Sequence, residues 1–288
     1  DKPVGRHGSV LRASAVKEYA LEHGLPVLQP VKMKDPEFVE QLRSYNADLQ
    51  VVVAFRMLPE VVWDMPRFGT FNVHAALLPQ YRGAAPINWA VINGETKTGV
   101  TTFFLDHDID TGRIIMQREF PIPDDADVEY VYDGLMELGA GICQDTVDLV
   151  ISTDGNVPSQ PQREDIELKA APKIFKETCQ IDWNKTAKQI YDFVRGLSPY
   201  PGTWTTLASY SDTEKNESSV MKIFKTTKTG TSCAGVAPGT LKTESNHLLV
   251  ATSDEWLDIV ELQAAGKKRM AARDFLNGFK HIAEMHMK

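Results

Sequence analysis

Apolar and polar positions follow two rhythms along the first 150 residues. "SAVKEYALEHG" repeats at helical spacing and stops on Gly24, a helix-closing residue. "LPVLQP" is a short apolar run that reads as a buried strand. "DPEFVEQLRSYNA" returns to helical spacing, with Asp35 placed to cap it and Pro36 in its first turn. "DLQVVVAF" is continuously apolar and β-branched, which predicts a central strand covered on both faces. "GTFNVHA" reads as another strand, and "APINWAVINGE" as a helix opened by Pro86. "TGVTTFFLD" and "GRIIMQREFPI" predict two strands around a turn, and "VEYVYDGLMELGAGICQDTVDLVIS" a long amphipathic helix. Strands alternating with helices predict an α/β sheet.

The rhythm breaks after residue 153. "TDGNVPSQPQREDIELKAAPK" is proline-rich, polar and without period, so residues 154–172 read as a linker between domains at 1–153 and 173–288. "TAKQIYDFVRGL" is helical. The short β-prone runs "TWTTLA", "VMKIFKT", "HLLVAT" and "WLDIVELQ" then predict a small β-barrel or meander. "SYSDTEKNESS" reads as an exposed, mobile loop. The opening "DKPVGRHGSVLRAS" is loop-like, whereas an α/β sheet usually opens with a strand; either the chain starts in a loop, or a preceding strand and helix are absent from the given sequence.

Composition narrows the class. The 288 residues, 42% hydrophobic and 24% charged, are those of a soluble globular protein large enough to bury a core without metal or disulfide staples. Cys143, Cys179 and Cys233 are odd in number and widely spaced, which fits a reducing cytoplasm. No apolar run is long enough to span a membrane. The net charge of -8 is unevenly spread. Residues 1–172 hold 15 Lys and Arg against 26 Asp and Glu, whereas residues 173–288 hold 16 against 13. On charge alone the basic half is a solvated surface.

The chemistry gathers in "FNVHAALLPQYRGAAPINW". His74 follows a strand end, where open α/β sheets place their ligands. Asn72, two residues earlier, shares its face, and its amide can donate to an oxygen that gains charge. Three carboxylates, Asp106, Asp108 and Asp110, compete in "DHDIDTG" as the partner that orients the ring and favours its charged form. Such a set suits acyl transfer to an amine, though an Asn-x-His pair is more often structural. Arg82 reads equally as a substrate ligand or a structural ion-pair partner. No metal-ligand spacing and no Gly-rich phosphate loop occurs.

"NVHAALLPQYRGAAPI" followed by "ETKTGVTTFFLDHDIDTG" resembles the folate-dependent formyltransferases, and the resemblance extends over nearly the whole chain. It implies a Rossmann-like catalytic domain, here without its first strand and helix, and an OB-like C-terminal barrel. It makes Asn72, His74 and Asp110 the catalytic set and thereby chooses among the three aspartates. It implies 10-formyltetrahydrofolate as formyl donor, with no metal, bound by Phe55, Arg56, Leu58, Leu77, Pro79 and Ile109. It implies methionyl-initiator tRNA as acceptor, held by Arg6, Arg12, Arg82, Lys267, Lys268 and Arg269, with an amino-sugar nucleotide as the alternative. Ala76 stands where many members have serine. A cytoplasmic monomer is expected, and the basic C-terminal half becomes a tRNA-facing surface.

Overall fold

The computed structural model describes residues 2–4, 10–53, 57–210, 218–279 and 281–288. The chain divides into two compact units, residues 1–50 with 55–69, and residues 51–54 with 70–288.

The first unit opens with an antiparallel pair, β1 (Lys2–Val4) and β2 (Val10–Arg12), in register Lys2 to Arg12. Lys2–Val4 and Val10–Arg12 are therefore paired strands where a loop was expected. Helix α1 (Ala15–Glu22) starts where Ser14 accepts from the amide of Lys17, and α2 (Pro36–Arg43) where Asp35 accepts from that of Glu37. Between them "LPVLQP" is neither strand nor buried. Pro26 and Pro30 remove two ladder donors from six residues, which overrides the apolar pattern.

A four-stranded sheet in the order β3–β4–β6–β7 is built from β3 (Gln50–Val52), β4 (Thr70–His74), β6 (Lys97–Phe104) and β7 (Ile114–Pro121). Four-residue helix α3 (Glu60–Trp63), from the first unit, separates β3 from β4 in sequence. The expectation of a central, doubly covered β3 fails. It is three residues long at the edge, and Val51 and Val53 are 41% and 65% exposed. The doubly buried strand is β6, whose residues Thr98–Phe103 are all buried.

β5 (Arg82–Gly83) and α4 (Pro86–Ile92) follow β4, and the 25-residue α5 (Val128–Ser152) follows β7. Val128, Val131, Leu135, Ile142, Thr146 and Val150 form the buried stripe of α5, spaced three, four or seven apart as one helical face requires. Val131, Leu135 and Ile142 share a core with Ala76, Tyr81, Val91 and Val100.

The proline-rich segment after α5 is bound to this body. Gln160 bridges Ile114, and β8 (Ala170–Ala171) pairs in parallel with β5. Helix α6 (Ala187–Leu197) begins with a capping box between Thr186 and Gln189. Then come β9 (Thr203–Ser209), β10 (Ser219–Ser232), β11 (Leu241–Glu244), β12 (His247–Ala251), β13 (Glu255–Ala264), β14 (Met270–Ala271), α7 (Ala272–Gly278) and β15 (Met285–Met287). The sheet runs β11–β12–β13–β10–β9–β15, and a bridge from Thr240 to His286 brings its two ends together. The result is the expected nearly closed barrel. Ile190, Val194, Met221, Ile223, Leu248, Leu257 and Leu262 fill it.

Candidate active site

Asn72 and His74 lie two apart on β4, opposite Phe103 and Thr101 of β6. They are 4% and 6% exposed, because β4 is an interior strand. The strand ends at His74, and the next turn is pinned from below. Thr101 Oγ1 donates to Ala76 O at 2.6 Å and accepts from the Leu78 amide at 3.1 Å. Gln117 Nε2 donates to Leu78 O at 2.8 Å.

His74 Nε2 sits 2.9 Å from the backbone oxygen of Tyr81. A carbonyl only accepts, so Nε2 carries the hydrogen and the neutral ring leaves Nδ1 bare. Nδ1 lies 3.9 Å from Asp110 Oδ2, beyond hydrogen-bonding reach. The ring is thus oriented by Tyr81, and Asp110 contributes charge. Burial lowers the His74 pKa below its ordinary value, outweighing the opposite pulls of Asp110 and the Tyr81 carbonyl. The expectation that the carboxylate would favour the charged form has the right sign for that interaction, but desolvation wins.

Asp110 is 7% exposed, whereas Asp106 and Asp108 are exposed, so burial separates three residues that composition leaves equal. Its φ of 57° is left-handed, which turns the side chain inward, and Oδ2 accepts the Gly83 amide at 3.0 Å. Gly83 has φ 128°, and a Cβ there would meet Ala171 O at 2.4 Å. Only glycine brings that amide to the carboxylate while β5 pairs with β8. Asn72 Oδ1 is buried and has no hydrogen-bond partner among the described residues.

The other expected residues are spread out. Leu77 and Pro79 are half-buried on the turn beyond His74, and Ile109 is 59% exposed beside Asp110. Leu58 is half-buried in the other compact unit; Phe55, Arg56 and Arg6 lie outside the described residues. Arg12 is exposed at the end of β2. Arg82 directs Nε and Nη2 to Gln162 Oε1, at 3.1 and 2.8 Å. Lys267 and Lys268 are exposed, while Arg269 is paired with Glu261 through Nε at 2.7 Å and Nη2 and lies over the Phe224 ring. Sequence reasoning missed Tyr81, which acts through its backbone and so has no side-chain signature, and Gln162, which sits in a stretch without period.

A buried neutral imidazole with one bare nitrogen, a nearby carboxylate and an unpaired amide oxygen are groups of the kind that acyl transfer to an amine uses. The chain belongs to the formyl transferase family: a formyl transferase model matches residues 1–147, and a formyl transferase C-terminal domain model matches residues 173–280. It is 59% identical over 289 residues to a methionyl-tRNA formyltransferase of Parabacteroides distasonis, covering 99% of this chain and 87% of that protein. It is 54% identical to one of Bacteroides fragilis, covering 99% and 86%. Among solved structures, the sugar 3N-formyl transferase WlaRD is similar in fold, at TM-score 0.61 and 18% identity, covering 88% of this chain and 82% of that one. HypX from Aquifex aeolicus, in complex with tetrahydrofolic acid, matches at TM-score 0.55 and 20% identity, covering 84% and 41%.

Proposed function

We propose that this chain transfers the formyl group of 10-formyltetrahydrofolate to the amino group of methionyl-initiator tRNA, the modification that prepares the tRNA for translation initiation. One observation carries the reading: the bare His74 Nδ1, 3.9 Å from Asp110 Oδ2, in a chain 59% identical to a methionyl-tRNA formyltransferase. The sugar formyltransferases match at 18% identity, a likeness of fold alone.

The residues fit these substrates. The lone Asn72 Oδ1 suits a ligand that brings its own N–H, as a reduced pterin ring and an amine both do. Leu77, Pro79 and Ile109 would hold the folate, which supplies an activated one-carbon group when bound. As the amine bonds to the formyl carbon and the bond from that carbon to the folate nitrogen breaks, His74 Nδ1 would take the amine proton and pass it to the departing folate nitrogen. Asp110 and the Tyr81 carbonyl stabilise the imidazolium so formed. The Asn72 amide serves as hydrogen-bond donor to the carbonyl oxygen, and holding the reactants in line contributes alongside proton transfer.

We take residues 1–153 as the catalytic domain and 173–288 as the tRNA-facing domain of a cytoplasmic monomer. No helix among the described residues is long and apolar enough to cross a membrane. Arg6, Arg12, Arg82, Lys267, Lys268 and Arg269 are the proposed tRNA ligands. Glu261 already neutralises Arg269, so Lys267→Ala and Lys268→Ala should each weaken tRNA binding and its salt dependence more than Arg269→Ala.

The reading is tested by offering labelled formyl donor with charged initiator tRNA, with an amino-sugar nucleotide, or with neither. Label should appear on the methionyl group in the first mixture only; transfer to the sugar alone would overturn the assignment. His74→Ala should lower kcat by roughly 10²–10⁴-fold with an unchanged circular dichroism spectrum.

A further inference from the structure

Residues 148–172 lie between the two stretches matched by the family models. Within them the Gln162 side chain makes four hydrogen bonds. Its Nε2 donates to Asp110 O at 2.8 Å and to Gly112 O at 2.9 Å. Its Oε1 accepts from Arg82 Nε and Nη2. A primary amide has two N–H donors and two acceptor lone pairs, so this one is fully used. The bonds divide between two loops. One carries Asp110, in its left-handed conformation, and Gly112, where a Cβ would fall 1.6 Å from Phe104 O. The other carries Gly83, whose amide donates to the Asp110 carboxylate, and is joined to the same segment again at Ala170–Ala171.

We propose that Gln162 is a positioning residue for the reaction: its amide ties the Asp110 loop to the Arg82–Gly83 loop and so sets the distance between Asp110 and His74. Misplacing a reacting group by about 1 Å costs up to roughly 100-fold in rate, so this clamp has catalytic weight without touching substrate. Only the kinetic part of the test rests on the formyl-transfer reading.

Two variants separate positioning from mere stability. Gln162→Met keeps the length of the side chain and adds no charge, but removes both donors and the acceptor. Gln162→Asn keeps the amide and shortens its reach by one carbon. Each should lower kcat by roughly 10- to 100-fold while KM for the folate stays within about twofold. The second readout needs no substrate. His74 is followed by NMR in protein labelled at its histidines and assigned with His74→Gln. Among the described residues Asp110 is the charged group facing this ring, with the Tyr81 carbonyl and the Phe103 edge as its other neighbours. Loosening Asp110 withdraws an interaction that favours the imidazolium, so the titration should move to lower pH in both variants. Folded variants with the native His74 titration would overturn the proposal, whether or not their melting temperature or kcat had fallen. A wild-type protein inert toward methionyl-tRNA would instead defeat the functional reading, and the titration would still decide the clamp.

Discussion

Burial and charge pull on His74 in opposite directions, and burial prevails, which keeps the ring neutral rather than charged. Asp110→Asn keeps an acceptor for the Gly83 amide but removes the charge that favours the imidazolium. The acid limb of kcat/KM should therefore move to lower pH in that variant, as a rate profile between pH 5 and 8 will show; a shift upward would contradict the assignment. The same imbalance affects stability. With its folded pKa below the unfolded value of roughly 6.5, His74 binds fewer protons folded than unfolded in the window beneath 6.5. Its contribution is complete above that value and is lost as pH falls through the folded pKa. The melting temperature of His74→Gln should accordingly improve relative to the native protein between pH 7 and pH 5. Asn72 and His74 were legible as a pair because strand periodicity puts them on one face. Asp110 was not legible from residue chemistry, since only the left-handed turn, invisible in composition, buries it and leaves Asp106 and Asp108 outside.

Helices and strands with a period were read well, and segments without one were not. α5 occupies the predicted residues because its stripe recurs at helical spacing over seven turns. β3 was misjudged because an apolar run says nothing about how many neighbours its strand will have. The segment read as a linker is a strap, each contact of which uses a different residue, and single contacts leave no pattern to find. The turn after β4 depends on one hydroxyl in the same way: Thr101 is fully buried and serves Ala76 O, the Leu78 amide and Gln117. Thr101→Val keeps the shape and removes the hydroxyl from Ala76 O and the Leu78 amide, while Gln117 keeps its bond to Leu78 O, which should cost about 1–3 kcal/mol in urea unfolding. A more local disturbance is expected from Gly112→Ala, whose methyl collides with backbone at Phe104. The Asp110 loop would be displaced, and kcat should fall more than stability does.

At the scale of the molecule, the barrel is joined to the catalytic body through α6. Arg195 and Asp192 are 7% and 3% exposed and paired at 2.8 Å, and Arg195 Nη1 reaches Ala126 O at 2.9 Å in the segment before α5. Asn88 of α4 donates to Gly196 O at 2.9 Å, and Lys228 pairs with Asp124 at 2.9 Å. Arg195→Leu leaves the Ala126 carbonyl without that donor and the buried Asp192 carboxylate with Lys188 as its remaining ion-pair partner, so a loss of about 1–3 kcal/mol is expected from chemical denaturation. The change of rhythm near residue 153 suggests a division of the chain, but this junction was not readable, because Asp192 and Arg195 look like ordinary surface positions on a helix.

The strap has a practical meaning for recombination between relatives. Cutting after Ser152 would send Gln162, Ala170 and Ala171 away with the foreign barrel and leave the host Asp110 loop to be held by another protein's residues. Hybrids spliced beyond Pro172 keep the native strap with its own loops, and should turn over where those spliced at Ser152 fail.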